Sequence, residues 1–253
     1  MYKYLFYLLI IVIFMNCAGN KPQPEWTASQ YFKYAIEKFN DEDYYDAANE
    51  FTVIVLRYAG STVVDSAQLY LADCHFKMEE YIIAAAEYEK LINYMSQSPL
   101  VPEAQYKLAE SYFQLSPRAS LDQNYTEKAI REFQNFIEDF PTNELKESAE
   151  KRILLCREKL ATKQYKNAES YRKMREFDAA LIYYSIVINE YYDTTLADDA
   201  LIGKMKVHSE MKDFESVKSD YVKFKELFPQ SDLSKEADTF LSSLPEEYQT
   251  IEN

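Results

Sequence analysis

The sequence predicts an all-α fold, a run of about five helical hairpins with one long helix linking two halves. Three observations carry this reading. The chain has 253 residues but only 3 glycines, whereas sheet folds use glycine at their many tight turns. One phrase of apolar and small residues recurs five times at helical spacing. The run from Glu144 to Arg175 contains neither proline nor glycine.

The phrase is an aromatic (or threonine), a small residue three later, an aromatic four after that, and an apolar residue three further on. Its copies are Tyr44-Ala47-Phe51-Ile54, Tyr81-Ala84-Tyr88-Leu91, Thr126-Ala129-Phe133-Phe136, Phe177-Ala180-Tyr184-Val187 and Phe214-Val217-Tyr221-Phe224. Steps of three and four keep these residues on one helix face. The small residue lets a partner helix approach, and the aromatic packs into the next hairpin. The gaps between small positions are 37, 45, 51 and 37 residues. A period in the mid-thirties is that of a tetratricopeptide-like two-helix repeat. Ala35, Ala72, Ala109 and Ala168 take the matching tight position on the first helices. The first two of those gaps are both 37, which supports the register. Phe140-Pro141 and Phe228-Pro229 close two second helices, since proline lacks the amide donor a helix needs. Amphipathic helices can produce such spacing by chance, but five copies of one phrase argue against that. The phrase itself is structural, so its aromatics are expected in the core.

Two gaps exceed the period. The third copy carries an insertion, SPRASLDQNYTEKA, between its helices. The run from Glu144 to Arg175 reads as one helix of about 45 Å at 1.5 Å per residue. It would cap the preceding repeat and supply the first helix of the fourth hairpin. The expected organisation is hairpins one to three over 28–143, the long helix and hairpins four and five over 144–241, and a polar tail over 242–253.

Hydrophobic residues make up 47% of the chain, enough for a continuous core. The 23 tyrosines and 15 phenylalanines suit wide helix–helix grooves and half-buried faces. The formal charge of −14 repels phosphate backbones, which argues against nucleic acid as a partner.

Residues 1–16 read as an export signal. Lys3 precedes an apolar run from Tyr4 to Met15, and that run is too short to span a bilayer, which needs about 20 residues. Cys17 follows at once, and the polar stretch 17–27 reads as a lipidated linker. A cysteine in this place resembles the bacterial lipoprotein signal, in which the thiol is acylated and the leader removed before it. Several acyl chains anchor a protein stably where one does not. Phe14 and Asn16 depart from the usual residues before the cysteine, and Ala18 resembles signals sorted to an outer membrane. Cleavage would remove Lys3 and no acidic residue, taking the charge from −14 to −15.

No catalytic constellation stands out. His75 and His208 lie in different repeats, without metal-ligand spacing or a nucleophile. There is no phosphate-binding glycine loop and no HExxH. Cys74 and Cys156 lie in helical patterns and read as buried small apolar residues. The chain is therefore expected to be neither an enzyme nor a cofactor protein.

Two segments carry a family resemblance. Residues 112–141, YFQLSPRASLDQNYTEKAIREFQNFIEDFP, and residues 150–195 are similar to the BamD family of outer-membrane assembly lipoproteins. The LSPR…LDQ…YT…KAI phrase is the most specific part. The resemblance implies a lipid-anchored scaffold on the periplasmic face of the outer membrane, within the machine that assembles β-barrel proteins. It implies two partners, the barrel-forming subunit with its polypeptide-transport domains, bound by the C-terminal hairpins, and unfolded outer-membrane proteins, received by the N-terminal hairpins. An extended peptide ending in an aromatic suits apolar first-helix positions with a few polar groups. Phe32, Ile36, Asp73 and Tyr106 are the candidates, with Phe39, Phe76 and Phe113 as core alternatives. In the insertion, Arg118, Asp122 and Gln123 are candidates for partner contact, against a self-satisfied loop in which Asp122 or Asn124 caps the next helix. A second reading is a different periplasmic tetratricopeptide lipoprotein that scaffolds cell-envelope or cell-division proteins.

Overall fold

The computed structural model describes residues 23–249. Among them are eleven α-helices, one closing 3₁₀ turn and no β-strand. The helices are α1 (Ala28–Asn40), α2 (Tyr44–Arg57), α3 (Val64–Lys77), α4 (Tyr81–Tyr94), α5 (Val101–Leu115), α6 (Asn124–Asp139), α7 (Lys146–Lys173), α8 (Phe177–Glu190), α9 (Ala197–Glu210), α10 (Phe214–Leu227) and α11 (Ser234–Ser242). They form two compact units that divide between Ala104 and Gln105.

The repeated phrase is core in every copy. Ala47, Phe51 and Ile54 on α2 and Ala84, Tyr88 and Leu91 on α4 are fully buried. So are Ala129, Phe133 and Phe136 on α6, Ala180, Tyr184 and Val187 on α8, and Val217 and Phe224 on α10. Burying one such aromatic or aliphatic side chain stabilises the fold by roughly 1.5–3 kcal/mol. Ala35, Ala72, Ala109 and Ala168 are likewise fully buried on the first helices. The fifth first helix puts Met205, also fully buried, in the equivalent place. There the second-helix residue Val217 replaces alanine.

Helix starts and stops follow local chemistry. Thr27 and Gln30 form a capping box at α1: the Thr27 amide donates to Gln30 Oε1 at 2.8 Å, and Thr27 Oγ1 accepts from the Gln30 amide. This satisfies donors that a helix start leaves open. Four hairpin turns share one geometry. Glu42, Glu79, Arg175 and Lys212 each take φ near +60°. In each, that residue's amide and the next close back onto carbonyls of the preceding helix, as in Glu42 to Phe39 and Asp43 to Lys38. This is the Schellman closure, which usually has glycine at that position. Here long-chain residues hold it, at a cost of roughly 1–2 kcal/mol each. The scarcity of glycine is thus met by capping bonds and not by fewer tight turns.

The long helix is present as α7 and lies wholly within the second unit. Its N-terminal part packs on α6 and its C-terminal part on α8. Ala149 and Cys156 share a core with Phe133 and Phe136, and Ala161 and Ala168 share one with Tyr184. One rigid helix therefore joins the third hairpin to the fourth within the second unit. The observed division falls earlier than the expected boundary at 143/144, because α7 continues both cores without a break. The segment from residue 242 was expected as a polar tail. Its described part returns to the core: Leu244 is buried, and Tyr248 packs on Phe214 with ring centroids 5.3 Å apart.

Two features of the second unit lend themselves to measurement. Gly203 lies where α9 crosses α8, and a Cβ there would sit 2.5 Å from the Tyr184 ring. Because Tyr184 is fully buried, the ring has little room to yield. Gly203→Ala is expected to cost about 1–3 kcal/mol, read as a lowered thermal midpoint by circular dichroism. Separately, Arg157 on α7 grips Asp193 with a two-pronged bond, at 2.8 Å from Nε and 2.5 Å from Nη2, and donates from Nη2 to the Glu190 carbonyl at 2.7 Å. The Arg157 hydrogen bond holds the Asp193 carboxyl below its usual range, against a smaller opposing effect of burial. A carboxyl that keeps its charge longer in the folded state adds stability above the unfolded value of ~4. That contribution is lost as pH falls through the lowered folded value. Asp193→Asn should lower the thermal midpoint near neutrality, and the gap from wild type should close under acid.

Candidate functional site

In the first unit, α1 and α3 present a half-buried aromatic ladder. Phe32 sits between Phe51 and Tyr70, with ring centroids at 5.8 and 6.0 Å. Phe39 meets Tyr44 at 5.3 Å and Tyr70 at 5.2 Å, and Tyr70 stacks on Phe51 at 5.4 Å. Ile36 is partly buried against the same cluster. Phe32 and Ile36 therefore share one surface, half in the core and half accessible. Tyr70 completes it and was missed by sequence reading. The available signal was its place on the first helix of the following repeat, 19 residues beyond Phe51.

Asp73 has a structural task. The Tyr88 hydroxyl donates to its Oδ1 at 2.5 Å, tying α4 to α3. Burial raises the Tyr88 pKa and the Asp73 charge adds to this, so the hydroxyl keeps its proton and remains the donor. The second unit repeats the device: Tyr184 donates to Glu169, at the same separation along the chain. Asp73 is thus a joint within its hairpin, and only its partly exposed remainder faces outward.

Tyr106 belongs to the second unit. It packs edge-on against Phe133 at 5.6 Å and Phe136 at 5.5 Å. Of the four candidate peptide contacts, Phe32, Ile36 and Asp73 share the first unit and Tyr106 does not. Phe113 lies under two cations, Arg152 at 4.4 Å and Lys159 at 5.9 Å.

The insertion is tied to α7. Lys159 Nζ donates to the Ser116 carbonyl at 3.1 Å and to its hydroxyl oxygen at 2.6 Å, and Lys163 Nζ donates to the Leu121 carbonyl at 3.0 Å. Gln123 requires a correction as a contact residue. It is buried, at 4% exposure. Its amide nitrogen donates to the Arg118 and Leu121 carbonyls, each at 3.0 Å, and its Oε1 accepts from Thr126 at 2.7 Å. A side chain whose polar atoms all point inward shapes the loop. Arg118 and Asp122 are exposed, and Asp122 Oδ1 accepts from the Asn124 amide at 3.0 Å, at the start of α6. Asp122 can cap the helix and still offer its outer oxygen.

A further surface lies on α8, FDAALIYYSIVINE. One side is buried in the core through Ala180, Tyr184, Val187 and Ile188. The other carries Ile182, 61% exposed, with Leu181 and Ile186 beside it along a shallow hollow. The same hollow is also lined by Ser185, Asn189 and Glu190, so its apolar part is confined to the stretch around Ile182.

The histidines have local partners: His75 Nδ1 lies 2.7 Å from Glu80, and His208 Nδ1 lies 2.8 Å from the buried Asp220, which Lys204 also meets at 3.1 Å. Among the described residues, no group of three or more His, Cys, Asp or Glu is placed to hold a metal ion, and no helix is long and apolar enough to cross a membrane. Cys74 and Cys156 are free and buried, and burial pushes their thiols up to about 12 and about 11. Cys17 lies outside the described residues.

Solved structures with a similar helical arrangement include the TPR2AB-domain:pHSP90 complex of yeast Sti1, at 11% identity and TM-score 0.43, covering 85% of this chain and 88% of that one. A tetratricopeptide-repeat protein of Thermus thermophilus matches at 14% identity and TM-score 0.36, covering 85% of this chain and all of that one. No curated protein matches the chain. The family model for YfiO, described as an outer membrane lipoprotein, matches residues 24–223, which takes in every hairpin but the end of the last. This chain belongs to the YfiO family of outer membrane lipoproteins.

Proposed function

We propose that this protein is a lipid-anchored, non-enzymatic scaffold on the periplasmic face of the outer membrane, a subunit of the machine that assembles β-barrel proteins there. The family match over 24–223, carried by an array of interaction-type hairpins, is the observation that supports this most. Cys17, once acylated, is the anchor. The hairpins provide binding surfaces in place of a catalytic centre.

Two surfaces divide the work. The α1–α3 ladder of Phe32 and Ile36 receives extended, aromatic-ended segments of unfolded barrel proteins. Its half-buried rings offer apolar contact with little side-chain ordering left to lose. Asp73 and Tyr106 contribute within their own units. The α8 strip around Ile182, with the C-terminal hairpins that follow, docks the barrel-forming subunit through its polypeptide-transport domains. Arg118 and Asp122 add polar contacts from the insertion.

Two substitutions test this division. Ile182→Asp puts a charge in the strip without touching the core, so the protein should fold normally by circular dichroism yet no longer co-purify with the barrel-forming subunit. Retained co-purification would place that contact elsewhere. Ile36→Ser should weaken a fluorescent peptide copied from a barrel protein's last strand by about tenfold, the loss expected for one apolar anchor worth ~1.4 kcal/mol. Unchanged peptide affinity would remove the ladder from the reading.

A further inference from the structure

The first unit has two ends of opposite chemistry. The hairpin turns at one end are acidic: residues 37–46 hold five carboxylates against one lysine, and residues 77–80 hold two against one. At the other end, residues 58–64 and 91–102 contain no charged residue. Those two uncharged loops lie together. Ser98 Oγ donates to Asp65 Oδ2 at 2.7 Å, and residues 61, 62, 64 and 94–99 line one shallow hollow with the Asp65 carboxylate, so held, in its wall. Tyr94, 84% exposed, lines this hollow, and Leu56, 77% exposed, sits in the last turn of α2 just before the first of the two loops; they are the two most exposed large apolar side chains among the described residues.

The incoming chain is fastened at this same end. Arg57 donates to the Pro24 carbonyl at 3.2 Å, and the Tyr58 hydroxyl donates to the Trp26 carbonyl at 2.7 Å. The Trp26 ring packs on Tyr31 and Tyr34 at 5.6 and 5.7 Å. Cys17 precedes Gln23 by six residues, which can span at most ~20 Å fully extended. Helix α2 has 14 residues and is itself ~21 Å long. If the acidic end faced a bilayer, the tether would be used up in running the length of the hairpin. It would also bring carboxylates against an anionic lipid surface.

We propose that the Leu56–Tyr94 end of the first unit is a lipid-contacting surface, seated in the headgroup region of the leaflet that holds the acylated Cys17. The proposal rests on acylation of Cys17, as read above. Leucine gains from the apolar boundary, and a tyrosine ring suits an interface that is apolar on one side and wet on the other. The acylated cysteine supplies affinity, and this surface supplies orientation. It holds the acidic turns away from the lipid and fixes how the hairpins stand on the membrane.

The experiment uses the full chain, expressed with its own leader in a bacterial host and reconstituted into vesicles of phosphatidylethanolamine and phosphatidylglycerol. Trp26 is the single tryptophan, so Trp26→Phe clears the background. Tyr94→Trp then reports on the proposed surface and Tyr45→Trp, 70% exposed beside the acidic turn, on the other end. Lipids brominated near the headgroup should remove most of the emission at position 94 and leave position 45 unchanged. Equal quenching of both reporters, or of neither, on protein whose mass shows acylated Cys17 overturns the proposal alone. A mass showing bare Cys17, with protein that does not float with the vesicles, overturns the anchoring reading and this proposal with it. Circular dichroism confirms that each variant is folded before either result is read.

Discussion

The close approach of two helices at a small residue is the constraint on which each hairpin depends. Ala35 and Ala47, Ala109 and Ala129, and Ala168 and Ala180 are fully buried in pairs within their cores. A larger side chain at either member would push the helices apart. The aromatic four residues beyond the second alanine would then lose its seat in the next repeat. In the fifth hairpin Met205 and Val217 take these places, both fully buried, so that one joint is built around larger side chains than the alanine pairs. In a close-packed joint such a change needs matching changes in the neighbours. Gly203 marks the limit, since the ring of Tyr184 already occupies the space a Cβ would need.

Polar groups placed between the helices tighten the same joints. The Tyr88–Asp73 and Tyr184–Glu169 bonds link second helix to first at equivalent points in two hairpins. Burial raises Tyr184's pKa first, and its bond to Glu169 adds to that, so its hydroxyl too stays a donor. Burial acts to raise the Glu169 pKa, but the hydrogen bonds from Arg172 and Tyr184 outweigh it and keep the acid charged. A half-buried charge held in this way is a specific one, because it needs its donors in place. These joints explain why acidic residues appear on faces that would otherwise be apolar, and why Asp73 is less free for a ligand than its position suggests.

The proposed contacts fall on faces that packing leaves partly open. The ladder of Phe32 and Ile36, half in the core, and the strip around Ile182 each keep an accessible apolar face. The end of the first unit with Leu56 and Tyr94 is another, and the chain toward Cys17 starts from it. Each lies on a rigid helix or a capped turn, which suits a scaffold that must present surfaces in fixed positions. The insertion follows the same logic: Lys159, Lys163 and Gln123 hold its backbone from within, leaving Arg118 and Asp122 outside.

Hairpin number, core residues and the long helix were legible in the sequence because helical periodicity repeats locally, and five copies of Tyr44-Ala47-Phe51-Ile54 and its kin reinforce one register. The family resemblance was also legible, in the insertion phrase that the hairpin pattern alone does not require. Three things were not. Gln123 reads as an exposed loop residue, and only the folded insertion turns its amide inward onto two carbonyls. Asp73 reads as a free carboxylate, and only the crossing of α3 and α4 sets Tyr88 against it. The boundary between units reads as the start of the long helix, whereas the compact units divide between Ala104 and Gln105, within α5. The sequence by itself determined which residues must be buried, since a periodic apolar face has to find a partner. The tertiary structure alone decided which polar groups satisfy one another and where compact units divide, because both depend on contacts between residues far apart in the chain.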